Sequence, residues 1–161
     1  MATQIQMIEM SARPSWAERL RGAIGLAERF PASVLSLMMR IAVGTIFLKS
    51  GLTKIANFDI TISLFQDEYM VPLLPPALAA VLATVTELGG SALILAGLAT
   101  RLAVLPLLAM TFVIEAFVYP ENWVEHLTWA SMLLFLFANG AGRLSLDHGI
   151  KRVLDRRWGY S

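Results

Sequence analysis

Four long apolar stretches alternate with polar segments along the chain. Each is close to the length of a membrane-spanning helix, which needs about 20 mostly apolar residues. The stretches run over residues 32–52, 76–98, 102–119 and 123–141. Thr100 and Arg101 leave only a tight connection between the second and third stretches, which predicts an antiparallel hairpin. The pattern therefore predicts an all-α fold in which a four-helix bundle is integral to a membrane.

Two shorter amphipathic patterns flank the predicted bundle, one at each end of the chain. Ser15 and Glu18 match a capping box. The apolar face that follows contains Trp16, Leu20, Ile24 and Ala27. The tail has a similar stripe of Leu146, Ile150, Val153, Leu154 and Trp158. We expect both terminal helices to lie at the membrane surface, or else to pack on each other or on a soluble partner.

The long connection before the second span predicts one more helix. Asn57 is placed to cap a short helix from Phe58 to about Met70, lying on or dipping into the outer end of the bundle. The predicted organisation is a cytoplasmic amphipathic segment over 1–30, a four-span domain over 31–142 and a basic amphipathic tail over 143–161.

Composition agrees with this pattern. Of the 161 residues, 57% are hydrophobic and 16% are charged, whereas about 25% are charged in an ordinary soluble domain. The chain has no cysteine, which excludes a disulfide framework, a thiol nucleophile and cysteine metal sites. Its formal net charge of +1 argues against nucleic acid as a partner. The lipid bilayer is the expected partner, and nothing in the sequence specifies the oligomeric state.

Basic residues fall on one side of the predicted spans and acidic residues on the other. The basic side carries Arg13, Arg19, Arg21, Arg29, Arg101, Arg143, Lys151, Arg152, Arg156 and Arg157. The opposite side carries Asp59, Asp67, Glu68, Glu121 and Glu125. By the positive-inside rule, both termini are expected in the cytoplasm, which an even number of spans satisfies.

Several ionisable residues fall inside the predicted spans, where charge is costly and marks a functional hypothesis. Arg40 and Glu87 lie at matching depth, and we expect them to pair. That pair serves either to set helix register or to form part of a site. Glu115, His126 and Lys49 form a second predicted cluster near the outer mouth. A carboxylate beside an imidazole suits proton transfer or quinone binding.

The first span has one face suited to close packing. Arg40, Gly44, Phe47, Gly51 and Lys54 recur at helical spacing, so this face is expected to point into the bundle. Lys54 and Lys49 either join the polar site or only extend to the membrane interface.

Aromatic side chains accompany the predicted site, whereas metal ligands do not. Trp123 and Trp129 flank His126, and with Phe47 they are the candidate aromatic lining. The two histidines, His126 and His148, fall on opposite sides of the membrane, so no metal site and no bis-histidine haem is expected within one chain. No intrinsic cofactor is predicted, and an electron-transfer role would need an organic cofactor such as a quinone, or a partner subunit.

A set of short fragments, in order, resembles the DoxX family of small bacterial membrane proteins. The resemblance covers about residues 35–151. It rests on Arg40, Gly51-Leu52-Thr53-Lys54, Glu87-Leu88-Gly89-Gly90, Gly97-Leu98-Ala99-Thr100-Arg101, Tyr119-Pro120, His126, Trp129 and the segment from Gly140 to Asp147. It implies a four-helix bundle in the bacterial cytoplasmic membrane. Some members are similar to small subunits of a thiosulfate:quinone oxidoreductase, and others are associated with complexes that handle oxidative or thiol stress. The resemblance implies no catalytic role for any single residue.

Three functions remain open on these grounds. The first is a redox-associated subunit that works with a quinone or a membrane oxidoreductase, and is at most a quinone-linked enzyme subunit. The second is a non-catalytic assembly subunit of a membrane complex. The third is a small solute or proton pathway through the bundle.

Overall fold

The computed structural model describes residues 15–28 and 30–159, and its regular structure is helical throughout that part of the chain. The α-helices are α1 (Trp16–Glu28), α2 (Ala32–Ala56), α3 (Phe58–Leu64), α4 (Pro76–Ala96), α5 (Thr100–Val113), α6 (Trp123–Asn139) and α7 (Leu146–Trp158). α3 continues as a π-helical turn, Phe65–Tyr69, and α5 as another, Ile114–Val118. The predicted all-α class is confirmed for the described residues. Arg13 and Arg29, used above for orientation, lie outside them.

α1 belongs to a unit separate from that of the other helices. Its first turn is closed by a capping box: the Ser15 amide donates to the Glu18 carboxylate at 2.7 Å, and the Glu18 amide donates to the Ser15 hydroxyl at 3.3 Å. Trp16, Leu20 and Ile24 are exposed. A short pattern of capping residues was therefore sufficient to place this helix start.

Three helices within the described residues are long and apolar enough to cross a membrane, namely Ala32–Ala56, Pro76–Ala96 and Thr100–Val118. α6 occupies the fourth apolar stretch with 17 residues. α2 contacts α4 and α6, and α5 contacts the same two helices. A shared core lies among the four helices, formed by Val43, Phe47, Ile94, Ala103, Val104, Leu107, Leu133 and Leu136. Large side chains on the outward faces of these helices remain exposed, as lipid-facing residues would.

Two glycines let α2 approach α4 closely. A Cβ atom on Gly51 would lie 2.8 Å from Leu88 Cγ and 3.1 Å from Glu87 Cβ, and one on Gly44 would lie 2.8 Å from Leu95 Cγ. The buried face of α2 carries Arg40, Gly44, Phe47 and Gly51. The small-residue face expected from the sequence is therefore the contact surface, and it sets the register of α2 against α4.

Gly51→Ala is expected to destabilise the protein by about 1–3 kcal/mol, because the added methyl group overpacks the α2–α4 contact. Gly89→Ala is the matched control, since a Cβ on Gly89 meets no atom within 4 Å. Without a clash, the control gains about 0.5–1 kcal/mol from the helical preference of alanine. Unfolding in a detergent titration, followed by circular dichroism, compares the two. If both variants change the stability by the same amount and in the same direction, the close approach of α2 to α4 is contradicted.

Both connections at one end of these helices converge on the start of α7. Gly97, with φ of 67°, ends α4, and Ala99, with φ of 47°, precedes α5. The Asp147 carboxylate accepts from the Ala99 amide at 2.8 Å and the Thr100 amide at 3.2 Å, so it caps α5. The Arg143 amide donates to the Ser33 hydroxyl at the start of α2. We call this the α7 end.

α3 lies at the opposite end, which we call the α3 end. The Asn57 side chain accepts from the Ile60 amide and caps α3. The Thr61 hydroxyl donates to the Lys54 carbonyl at 2.9 Å, which ties α3 to the last turn of α2. Phe65, in the π-helical turn, packs with Ala79 and Ala80 at the start of α4. The long loop between the first two spans is therefore largely a helix that packs on the helices it connects.

Candidate ligand site

A cavity of about 480 Å³ opens among the helices towards the α3 end. Volumes of about 300–1,000 Å³ are usual for small-molecule sites. Its polar lining residues are Ser50, Lys54, Tyr69, Thr86, Glu87, Tyr119, Asn122, Glu125 and His126. Its apolar lining includes Phe47, Phe65, Leu82, Met110, Ile114 and Trp129. The cavity combines an apolar wall with a few ionisable groups, as sites for small amphipathic molecules do.

Lys54 and Glu87 form an ion pair in the wall of this cavity. Lys54 Nζ lies 2.8 Å from both carboxylate oxygens of Glu87. Ser50 Oγ donates to Glu87 Oε1 at 3.0 Å and accepts from Lys54 Nζ at 2.8 Å. Glu87 is 2% exposed. The carboxylate therefore has a counter-charge and an additional donor, the condition for keeping a buried charge.

The expected pair of Arg40 and Glu87 is wrong. The guanidinium of Arg40 lies against Gly97, ten residues along α4 from Glu87, which is about 15 Å along a helix axis. The prediction estimated the depth of each residue in the membrane from its distance to the centre of its own apolar stretch. The glycine contacts instead place Gly51 opposite Glu87, so the two helices are offset from that alignment. Lys54, one turn beyond Gly51, is the cation within reach.

Arg40 instead joins several backbone segments at the α7 end. Its side chain is 2% exposed and donates to the carbonyls of Ile94 at 2.7 Å, Leu95 at 2.6 Å, Ala141 at 3.2 Å and Leu144 at 2.6 Å. Two of these carbonyls belong to the last turn of α4, the negative end of the helix dipole. Arg40 does not line the cavity, so its contacts are those of a structural residue.

His126 and Glu115 are brought into contact in a second polar group. His126 Nδ1 lies 2.6 Å from Glu115 Oε2. His126 is 4% exposed and lines the cavity, whereas the half-buried Glu115 does not line it. In the tautomer that carries its proton on Nδ1, the imidazole donates a hydrogen bond to this carboxylate. Nε2, which has no protein partner in the described chain, is then the ring nitrogen available to a ligand.

Aromatic rings surround the imidazole on the cavity side. The Trp129 ring lies 5.1 Å from that of His126 and 5.6 Å from that of Phe47, both in edge-on geometry. Trp129 and Phe47 line the cavity, as predicted for the aromatic lining, whereas Trp123 is 58% exposed and lies outside it. Lys49 is likewise exposed and does not line the cavity. Trp123 and Lys49 are therefore not brought to the site.

Two tyrosines complete the cavity at the α3 end, and sequence reasoning missed both. The Tyr119 hydroxyl donates to the Glu68 carboxylate, and the Tyr69 ring packs edge-on against Tyr119 at 5.9 Å. The hydrogen bond to Glu68 raises the pKa of Tyr119 above its ordinary value, and burial raises that of Tyr69. Both phenols therefore keep their protons at neutral pH. The sequence signal was weak, because Tyr69 and Tyr119 come from different loops.

Ser50 and Glu125 were also missed as lining residues. Ser50 could have been inferred, because it lies one helical turn before Lys54 on the same helix face. Glu125 could not have been inferred, because being next to His126 in the sequence does not show which face of the helix Glu125 lies on. The cavity is thus lined by the Lys54–Glu87 ion pair, by His126 with Glu115 behind it, and by the hydroxyl groups of Ser50 and the two tyrosines.

A helical chain with three membrane-length helices and an amphipathic cavity between them defines an integral membrane protein. The family model of DoxX matches residues 35–120, more than half of the chain. The protein therefore belongs to the DoxX family. The match includes Arg40, Lys54, Glu87 and Glu115 and stops before His126. No curated protein and no solved structure gave a significant match.

Proposed function

We propose that the protein binds a quinone in the cavity and works as a redox-associated subunit of a membrane oxidoreductase. One observation carries the proposal. The cavity places the Lys54–Glu87 pair and His126, backed by Glu115, in one mostly apolar chamber. A quinone ring needs apolar walls, and its two carbonyl oxygens need polar partners at separate places. The aromatic rings of Phe47 and Trp129 suit a planar ligand.

The histidine–carboxylate pair supplies proton chemistry that quinones require. Reduction of a quinone consumes two electrons and two protons and gives the hydroquinone, and oxidation reverses this. With its proton on Nδ1, His126 presents an unprotonated Nε2 that accepts a proton from a hydroquinone hydroxyl. Glu115, held at 2.6 Å, stabilises the imidazolium that forms. The electrons pass to or from a redox partner subunit.

The proposal includes the membrane arrangement of the four helices. α6 is about 26 Å long at 1.5 Å per residue and falls within the range of about 17–25 residues for a spanning helix. Its contacts with α2 and α5 support it as the fourth span of a bundle. The basic residues around the α7 end, including Arg101, Arg143 and Lys151, support a cytoplasmic location for that end. The cavity then opens towards the outer face.

Quinone binding is tested by tryptophan fluorescence, because Trp129 lines the cavity and quinones quench indole emission. The purified chain in nanodiscs is titrated with decylubiquinone, and saturable quenching is expected. His126→Phe is expected to weaken binding about tenfold or more, since a buried hydrogen bond is lost. The phenyl ring keeps the packing against Trp129, and the unfolding midpoint checks that this variant is folded.

His148→Phe is the matched control, because His148 is the other histidine and lies in α7, outside the cavity. It is expected to bind as the native chain does. Quenching that never saturates, or that is equal in the two histidine variants, would overturn the proposal.

A further inference from the structure

The start of α7 is fixed by contacts with other parts of the chain. Its start is fixed at the α7 end, because the Asp147 carboxylate caps α5 and the Asp147 amide donates to the Gly97 carbonyl at 2.9 Å. Leu144, just before the helix, is held by Arg40. α7 therefore begins where two candidate spans, Pro76–Ala96 and Thr100–Val118, are connected. That is the level at which a membrane surface meets the helices.

An apolar stripe runs along α7 without cover from the described chain. Leu146, Ile150, Val153 and Leu154 are between 48% and 63% exposed. At 3.6 residues per turn these four positions fall within an arc of about 100°. A stripe of this width on a helix with a strongly polar opposite face is typical of helices that lie in a membrane interface.

The charges of α7 are arranged around this stripe. Lys151 and Arg156 each lie about 60° beyond one edge of the stripe, and Asp155 lies nearly opposite its centre. Arg152 lies about 150° from the centre of the stripe, as far away as Asp155, and its guanidinium contacts His148 at 3.1 Å. Arg157 falls within the stripe in the last turn, where a long side chain can extend to the headgroups. Lys151 and Arg156 thus border the apolar surface on its two sides, and Asp155 points away from it.

We propose that α7 binds the surface of an anionic phospholipid bilayer, with its apolar stripe below the headgroups and its bordering cations on the lipid phosphates. Charge complementarity selects this partner, because cations at both edges of an apolar stripe match phosphate groups above acyl chains. Continuity with the membrane-spanning helices supports it, since Asp147 fixes the helix start at their end. The inference is independent of quinone binding.

The orientation of α7 is measured with spin labels, because the chain contains no cysteine and a single introduced one is unique. Ile150→Cys and Val153→Cys label the stripe, and Asp155→Cys labels the opposite face. Each full-length variant is reconstituted in nanodiscs of phosphatidylcholine with and without phosphatidylglycerol. Collisions with oxygen and with a water-soluble nickel chelate are compared. In anionic nanodiscs, the oxygen-to-nickel ratio is expected to be several-fold higher at positions 150 and 153 than at 155.

The charge requirement is tested by combining Lys151→Gln and Arg156→Gln with each stripe label. Their removal, or the use of neutral lipid, is expected to lower the ratio at positions 150 and 153. Equal nickel collisions on both faces would place the stripe in water and overturn the proposal. Labels shielded from both reagents would indicate a protein partner and also overturn it. If the oxygen-to-nickel ratio changes neither with lipid charge nor with the glutamine substitutions, the role of anionic lipid is overturned.

Discussion

Lys54→Met is expected to lower the free energy of unfolding by about 3–5 kcal/mol, the usual cost of removing one partner of a buried ion pair. Glu87 is 2% exposed and would be left with only the Ser50 hydroxyl as a hydrogen-bond donor. Methionine preserves most of the length of the lysine stem, so lost packing contributes little. Unfolding in a detergent titration, followed by circular dichroism, measures the effect.

The control for this prediction is the double variant Lys54→Met with Glu87→Gln. Glutamine keeps the shape of Glu87 and removes the charge that has lost its partner. We expect the double variant to recover most of the stability lost by Lys54→Met alone, because the penalty comes from the unpaired carboxylate. If the two substitutions instead destabilise the protein additively, Lys54 and Glu87 do not form the pair described above.

Arg40→Met is expected to cost about 3 kcal/mol or more, because buried carbonyls that lose a donor cost about 1–3 kcal/mol each. The Arg40 guanidinium donates to four carbonyls, which lie in the last turn of α4 and in the segment before α7. Arg40→Lys is expected to recover only part of the loss, since an ammonium group lacks the planar fork that reaches all four. Thermal unfolding in detergent ranks the variants.

Arg101→Met is the control, because Arg101 is exposed and donates to one carbonyl, that of Ala138. Its effect is expected within about 0.5 kcal/mol, as for most surface substitutions. A second readout separates a structural role from a role in ligand binding. Folded Arg40→Met is expected to bind decylubiquinone like the native chain, whereas amide exchange in α7 is expected to rise. Loss of quinone binding with unchanged exchange would contradict the structural role.

For Arg40 and Lys54, the sequence predicts the helix face that they share but not the residues that they contact. Both residues were placed on one face of the first span, together with Gly44, Phe47 and Gly51, and that face is indeed the contact with α4. Which acidic residue faces which cation depends on the offset of the two helices. That offset is set by where each glycine meets Leu88 and Leu95. A pattern within one helix carries no information about it.

Glu115 and His126 were easier to place. They lie near the ends of neighbouring apolar stretches joined by a short connection, so their relative level was constrained by the chain itself. The structure brings them to 2.6 Å. Tyr69 and Tyr119 had no such constraint, because one comes from the π-helical turn after α3 and the other from the connection that follows Val118. Their position depends on how α3 packs against α4.

The sequence by itself determined that this chain is an all-helical membrane protein and where α1 and α3 begin. Those properties follow from local patterns, because hydropathy, helical spacing and capping act within a few turns of one segment. Only the tertiary structure decided that Lys54 pairs with Glu87, that Arg40 holds the α7 end and that one cavity joins the polar groups. Those contacts depend on the rotation and offset of neighbouring helices, which close packing of small and large side chains selects.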